Sequence, residues 1–169
     1  MINFRELGIR SDFIKGLNEL GIINPTEIQT QVLPLLLDGK IDLVGQAQTG
    51  TGKTAAFGLP LLHKINSKRK DVQGLILCPT RELGRQVAKQ LFRFTKYSDK
   101  IFTEAVYGGG QIEKQITNLS RTTHIVVATP GRLIDLVKRK AVDLSHVRTV
   151  ILDEADEMLS MGFKKELDE

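Results

Sequence analysis

Residues Ala47 to Thr54 read AQTGTGKT, preceded by a short apolar run near Leu43 and followed by the helix-forming stretch Ala55 to Leu59. Glycines at 50 and 52 permit positive φ and close approach. Successive amides can then turn toward phosphate oxygens while the following helix N-terminus adds partial positive charge. Lys53 is placed to neutralise the outer phosphates of a nucleotide, and the Thr54 hydroxyl to reach the Mg²⁺ that clamps them. A second chemical group lies far along the chain, where the apolar run Val147 to Leu152 leads directly into Asp153, Glu154, Ala155 and Asp156. Carboxylates delivered at the end of a strand are how such sites meet Mg²⁺. Asp153 is expected to hold the ion through water, and Glu154 to orient and deprotonate an attacking water. The bland reading of the same residues is an acidic first turn that favours the helix dipole.

Those groups need a scaffold, and the chain supplies the pattern of one. Short runs rich in β-branched residues occur at Leu43 to Gly45, Leu75 to Cys78, Phe102 to Tyr107, Ile125 to Ala128 and Val147 to Leu152. Most are apolar on both faces, as parallel strands covered by helices are. Between them lie helical stripes: Leu83, Val87, Leu91 and Phe94 after the second run, and Leu133, Ile134 and Val137 after the fourth. Two further helices are expected ahead of the first strand, Asp12 to Leu20 closed by Gly21 and Glu27 to Leu37 closed by Gly39, with Pro34 bending the latter. The fold class is therefore α/β. A chain of 169 residues and 18.8 kDa suits one globular unit. The single Cys78 and the lack of a long apolar segment point to a reducing, cytoplasmic setting without a membrane anchor. A formal charge of +4 decides little, and the basic stretch Lys64 to Lys70 reads as a solvated loop. His63, His124 and His146 sit in unrelated contexts, so neither a metal-ligand cluster nor a Ser-His-Asp arrangement is evident.

With AQTGTGKT as a Walker A loop and Asp153 to Asp156 spelling DEAD, the chain resembles the first RecA-like domain of a DEAD-box ATP-dependent RNA helicase, over nearly its whole length from Phe4 to Phe163. Ala47, where the generic loop has its first Gly, suits this branch. The resemblance implies a three-layer RecA-like domain with a mainly parallel sheet. It implies ATP and Mg²⁺ bound by Gln48, Thr49, Gly50, Thr51, Gly52, Lys53 and Thr54, with Lys53, Asp153 and Glu154 catalytic and Thr54 and Asp153 serving the metal. Gly21, Pro25, Thr26 and Gln29 resemble the Q motif that reads adenine, and Phe4 stands where the family keeps an isolated aromatic; Thr26 and Gln29 also make a capping box. Pro79, Thr80 and Arg81 open a PTRELGRQ segment resembling motif Ia, Gly108 and Gly109 resemble the double glycine, and Thr129, Pro130, Gly131 and Arg132 resemble motif Ib. In the family these loops grip RNA through its backbone, which implies sequence-independent, salt-sensitive binding. Asp156 is implied to couple domains. Gly84 replaces the usual Ala of motif Ia, at a cost of roughly 1 kcal/mol in helix stability. Gly162 and Phe163 match a Gly-Phe pair near the RNA, although Phe163 also suits a core anchor.

On this pattern residues 1–39 form a Q-motif region and 40–169 an incomplete RecA-like core, one structural domain overall. The family continues to a Ser-Ala-Thr strand and a second RecA-like domain with an arginine finger, so the resemblance marks the chain as a fragment lacking a central strand. A fragment of that kind is expected to bind nucleotide weakly, to hydrolyse little and not to unwind, and to be unstable alone or completed by strand exchange or an oligomer. The parent is expected to be an RNA-dependent ATPase that remodels or unwinds RNA. The alternatives are an ATP-gated RNA clamp or scaffold, and a DNA helicase, against which Gln29, Phe4 and the DEAD spelling argue.

Overall fold

The computed structural model describes residues 2–169. Two compact units divide the chain: Met1–Ile65 with Gln90–Lys100, and Asn66–Lys89 with Ile101–Glu169. Among the described residues no helix is long and apolar enough to cross a membrane.

The first unit is helical. It holds α1 (Ser11–Glu19), α2 (Glu27–Asp38), α3 (Lys53–Lys64) and the last turn of α4 (Arg81–Phe94). Its interior is made by Phe4, Phe13, Leu17, Leu33, Leu59, Leu62, Leu91 and Phe94, each at most 2% exposed. Gly39 ends α2 in the left-handed region at φ 71, the conformation a closing glycine supplies. Pro34 is accommodated inside that helix. Close approach replaces side-chain packing at Gly16 of α1, where an added Cβ would lie 2.6 Å from the Phe94 carbonyl oxygen.

The expected strand at Leu43 to Gly45 does not form. Residues 40–48 carry no regular structure, and Val44 is fully exposed. The unit that contains them has no other strand, and an isolated extended segment gains no ladder hydrogen bonds to offset the entropy of ordering it.

The second unit is the α/β part. Its four-stranded sheet has the order β2-β3-β1-β4, with β1 (Gly74–Leu77), β2 (Thr103–Val106), β3 (Ile125–Ala128) and β4 (Thr149–Leu152) all parallel. β1 and β3 are buried along their whole length, as central strands should be. At the edge, β4 departs from the expected two-sided burial: Val150 and Leu152 are 57% and 47% exposed. One face carries Leu75, Leu77, Val106, Val126 and Ala128 against Leu119 of α5 (Ile112–Leu119), Leu133 and Leu136 of α6 (Pro130–Lys138) and Met158 of α7 (Ala155–Ser160). The stripe on α6 is therefore Leu133 and Leu136, three residues apart, while Val137 faces outward at 43% exposure. Phe163 packs against this core, followed by the short α8 (Lys164–Asp168).

Candidate nucleotide and nucleic-acid site

In the first unit the phosphate loop has the backbone its sequence anticipates. Gly50 and Gly52 take φ of 80 and 82, and α3 starts at Lys53 behind Gly52 without a side-chain cap. The orphan amides of that first turn, with the helix dipole behind them, form a cradle for anionic oxygens. Among the described residues Lys53 enters no ion pair, which leaves its ammonium for such a ligand. The loop is braced from within: the Thr51 hydroxyl donates to the Gln48 carbonyl at 2.7 Å. Gln48 and Thr49 are exposed, and Thr54 is half-buried.

The Q-motif residues hold this loop directly. Thr26 caps α2 and forms the full capping box with Gln29. Its hydroxyl donates to the Thr51 carbonyl at 2.8 Å. Gln29, 1% exposed, accepts the Thr26 N–H at 3.0 Å and donates from Nε2 to the Gly52 carbonyl at 3.0 Å. A side chain at residue 52 would collide with that amide, so Gly52 serves both its own φ and the Gln29 contact. Phe4 lies in the core at 2% exposure, with its carbonyl accepting the Ile9 N–H at 2.9 Å.

In the second unit parallel pairing sends every strand's C-terminal loop to one end of the sheet. Pro79 to Arg81 follow β1, Tyr107 to Gly110 follow β2, Thr129 to Arg132 follow β3 and Asp153 to Asp156 follow β4. The Thr80 hydroxyl caps α4 by accepting the Leu83 N–H at 3.3 Å. Pro130 occupies the first turn of α6 after Thr129, where its missing N–H costs nothing. Arg81 is exposed and sets its guanidinium 5.1 Å from the Tyr107 ring centroid. Gly108, Gly109 and Gly131 are exposed, and Gly109 takes φ 76. Arg132 turns inward, donating from Nη1 and Nη2 to the Gly110 carbonyl, both at 3.3 Å.

The acidic cluster continues the sheet. Asp153 donates its N–H to the Leu77 carbonyl at 2.9 Å and is 8% exposed. Glu154 then adopts φ 53 and ψ 52, left-handed backbone that costs a non-glycine residue roughly 1–2 kcal/mol. Such strain turns the chain sharply between β4 and α7. Beside them Cys78 is fully buried, and burial, reinforced by the charges of Asp153 and Glu154, pushes its thiol up to about 12. Asp156 is exposed in the first turn of α7. Among the described residues no cluster of three or more His, Cys, Asp and Glu side chains suits a metal. Sequence reasoning missed Gly110 and Gln115, which join the loops after β2 and β3.

Comparison with known proteins gives a consistent answer. The family model described as DEAD/DEAH box helicase matches residues 26–169. The DEAD-box ATP-dependent RNA helicase CshA of Streptococcus pneumoniae is 51% identical over 99% of this chain and 32% of its own length. The ATP-dependent RNA helicase CshA of Listeria monocytogenes is 51% identical over 96% of the chain and 31% of its own length. The chain thus spans about a third of the curated relatives it matches. Among solved structures, a DEAD box protein from Methanococcus jannaschii superposes with TM-score 0.93 at 40% identity, covering 99% of this chain and 46% of that one. A Saccharomyces cerevisiae Dbp5 variant bound to RNA and ADP BeF3 superposes with TM-score 0.87 at 34% identity, covering 97% and 41%.

Proposed function

This chain belongs to the DEAD/DEAH box helicase family, and from that premise we propose that it is the ATP-binding part of an RNA-dependent ATPase that remodels or unwinds RNA. The observation that carries the nucleotide half is the uncapped start of α3 behind two glycines of positive φ. Lys53 and the Gly50 to Thr54 amides take the triphosphate, Gln48 and Thr49 flank it, and the Thr54 hydroxyl and Asp153 serve Mg²⁺, which supplies charge neutralisation when bound. Glu154 orients and deprotonates the attacking water. Gln29 and Thr26 read adenine from the position in which they hold the loop, since a primary amide donates and accepts at once.

RNA is bound along its backbone by the loops at the C-terminal end of the sheet, through Arg81, the Thr80 and Thr129 region and the amides of Gly108, Gly109 and Gly131. Pro79 and Pro130 shape those loops, and Arg132 braces them. Asp156, exposed beside them, is the residue for coupling to a second RecA-like domain. Dbp5, bound to RNA and ADP BeF3, supports this reading by its likeness to the chain.

The test is binding to two labelled single-stranded RNAs of unrelated sequence over a salt series. Equal affinities that fall with a log–log slope of about −0.7 per neutralised phosphate are expected, with Arg81→Ala reducing the slope by roughly one contact. Binding that is insensitive to salt, or confined to one sequence, contradicts it.

A further inference from the structure

The glycine loop after β2 is held by a side chain outside every motif discussed above. Gln115, on α5, is 6% exposed. Its Oε1 accepts the Tyr107 N–H at 3.2 Å and Nη1 of Arg132 at 2.9 Å, while its Nε2 donates to the Tyr107 carbonyl at 3.1 Å. One primary amide thus grips both backbone groups of Tyr107 as a further strand residue would. The two residues it touches lead onward. The Tyr107 ring carries the Arg81 guanidinium, and Arg132 donates to the Gly110 carbonyl. Gly110 closes against the same amide: a Cβ there would stand 2.7 Å from Gln115 Nε2 and 3.1 Å from Tyr107 Cε2. Three loops, after β1, β2 and β3, are therefore referred to one buried group.

The arrangement has a physical consequence for backbone recognition. Phosphates of one strand have fixed spacing, so loops that must contact several of them gain from being mutually rigid before RNA arrives. A buried amide that makes three hydrogen bonds to two loops supplies that rigidity, because slipping either loop leaves polar groups unpaired away from water.

We propose that Gln115 is a positioning residue for RNA binding, setting the Gly108 to Gly110 turn and Arg132 in the register that presents the three loops as one surface. The proposal rests on the RNA reading of those loops. Gln115→Asn keeps the amide but is one methylene too short to reach Tyr107 and Arg132 together; Gln115→Glu has the right length and keeps both acceptor contacts, but sets a carboxylate oxygen against the Tyr107 carbonyl in place of the donor. Each is compared with the unmodified chain for affinity toward a labelled single-stranded oligouridylate, with circular dichroism recording the folded state at the binding temperature. Expected for both variants is a loss of about tenfold, the scale of one lost buried hydrogen-bond link, with faster amide exchange at Gly108 to Gly110 while the fold is retained. Should Gln115→Asn not stay folded, Gln115→Glu decides through amide exchange: lost protection at Gly108 to Gly110 together with lost affinity supports the role, and a loss of either one without the other overturns it. Binding at the unmodified level by either folded variant overturns the proposal alone. An unmodified chain that ignores the oligouridylate overturns the RNA reading, and the proposal with it.

Discussion

Gln29 spends one amide N–H on the Gly52 carbonyl and one Oε1 lone pair on the Thr26 N–H. A primary amide has a second of each, so in the proposed site an adenine edge can be met without releasing either internal contact. Gln29→Ala is expected to lower stability by about 1–3 kcal/mol, because buried groups at Thr26 and Gly52 lose their partner. It should also erase any preference for ATP over GTP. Urea unfolding and nucleotide competition read these separately; unchanged discrimination would remove the base-reading role and leave the bracing one. The same residue marks how far sequence reading reaches. Thr26, Gln29 and their capping box follow from local spacing, and the box is present. That Gln29 also grips Gly52 joins segments far apart in sequence, as do the Gln115 contacts to Tyr107 and Arg132, and no local period encodes such pairs. The burial of Phe4 likewise depends on helices that come later in the chain.

At the scale of elements, glycines of similar sequence context carry opposite meanings. Within α4, a Cβ on Gly84 meets only Val127 Cγ1 at 3.7 Å, ordinary contact in a helix interior. Gly84→Ala is therefore expected to stabilise by roughly 0.5–1 kcal/mol through helix propensity. Gly16→Ala would drive a methyl onto the Arg93 and Phe94 carbonyls, 2.8 and 2.6 Å away, and should destabilise by about 1–3 kcal/mol. Thermal melts of the two variants should move in opposite directions, and a matched shift would refute the packing described for α1. The end of α3 adds a pH dependence. His63 accepts the Arg10 N–H through Nε2 at 3.4 Å and meets the Phe13 ring edge-on. Burial, then the Arg10 charge, hold its pKa below the usual value, with Asp12 opposing. The unfolded chain consequently takes up the proton first. Stability from this group is complete above about 6.5 and lost as pH falls from there through the folded value. His63→Gln should flatten that part of the stability–pH curve; an unaltered slope would place its origin elsewhere.

Over the whole molecule, the class of fold was legible because it rests on strong local signals. The apolar runs at Leu75 to Cys78 and Ile125 to Ala128 became central parallel strands within a residue of their expected bounds. The stretch Leu43 to Gly45 has the same composition and did not, since a strand exists only with a neighbour, and pairing is a property of the assembled sheet. The half-exposed β4 has the same cause: Val150 and Leu152 read as buried by type, but one edge of that strand is unpaired. The loops after β1, β2, β3 and β4, by contrast, stand at one end of the sheet because parallel topology alone carries them there. On the proposed function, Gly50 to Thr54 form a working phosphate site. Calorimetric titration of the chain with ATP and Mg²⁺ beside Lys53→Ala tests it most directly, with circular dichroism confirming that both are folded. Saturable binding by the unmodified chain that disappears in Lys53→Ala is the predicted result; a folded chain that takes up no ATP, or a variant that binds as well as its parent, would contradict it.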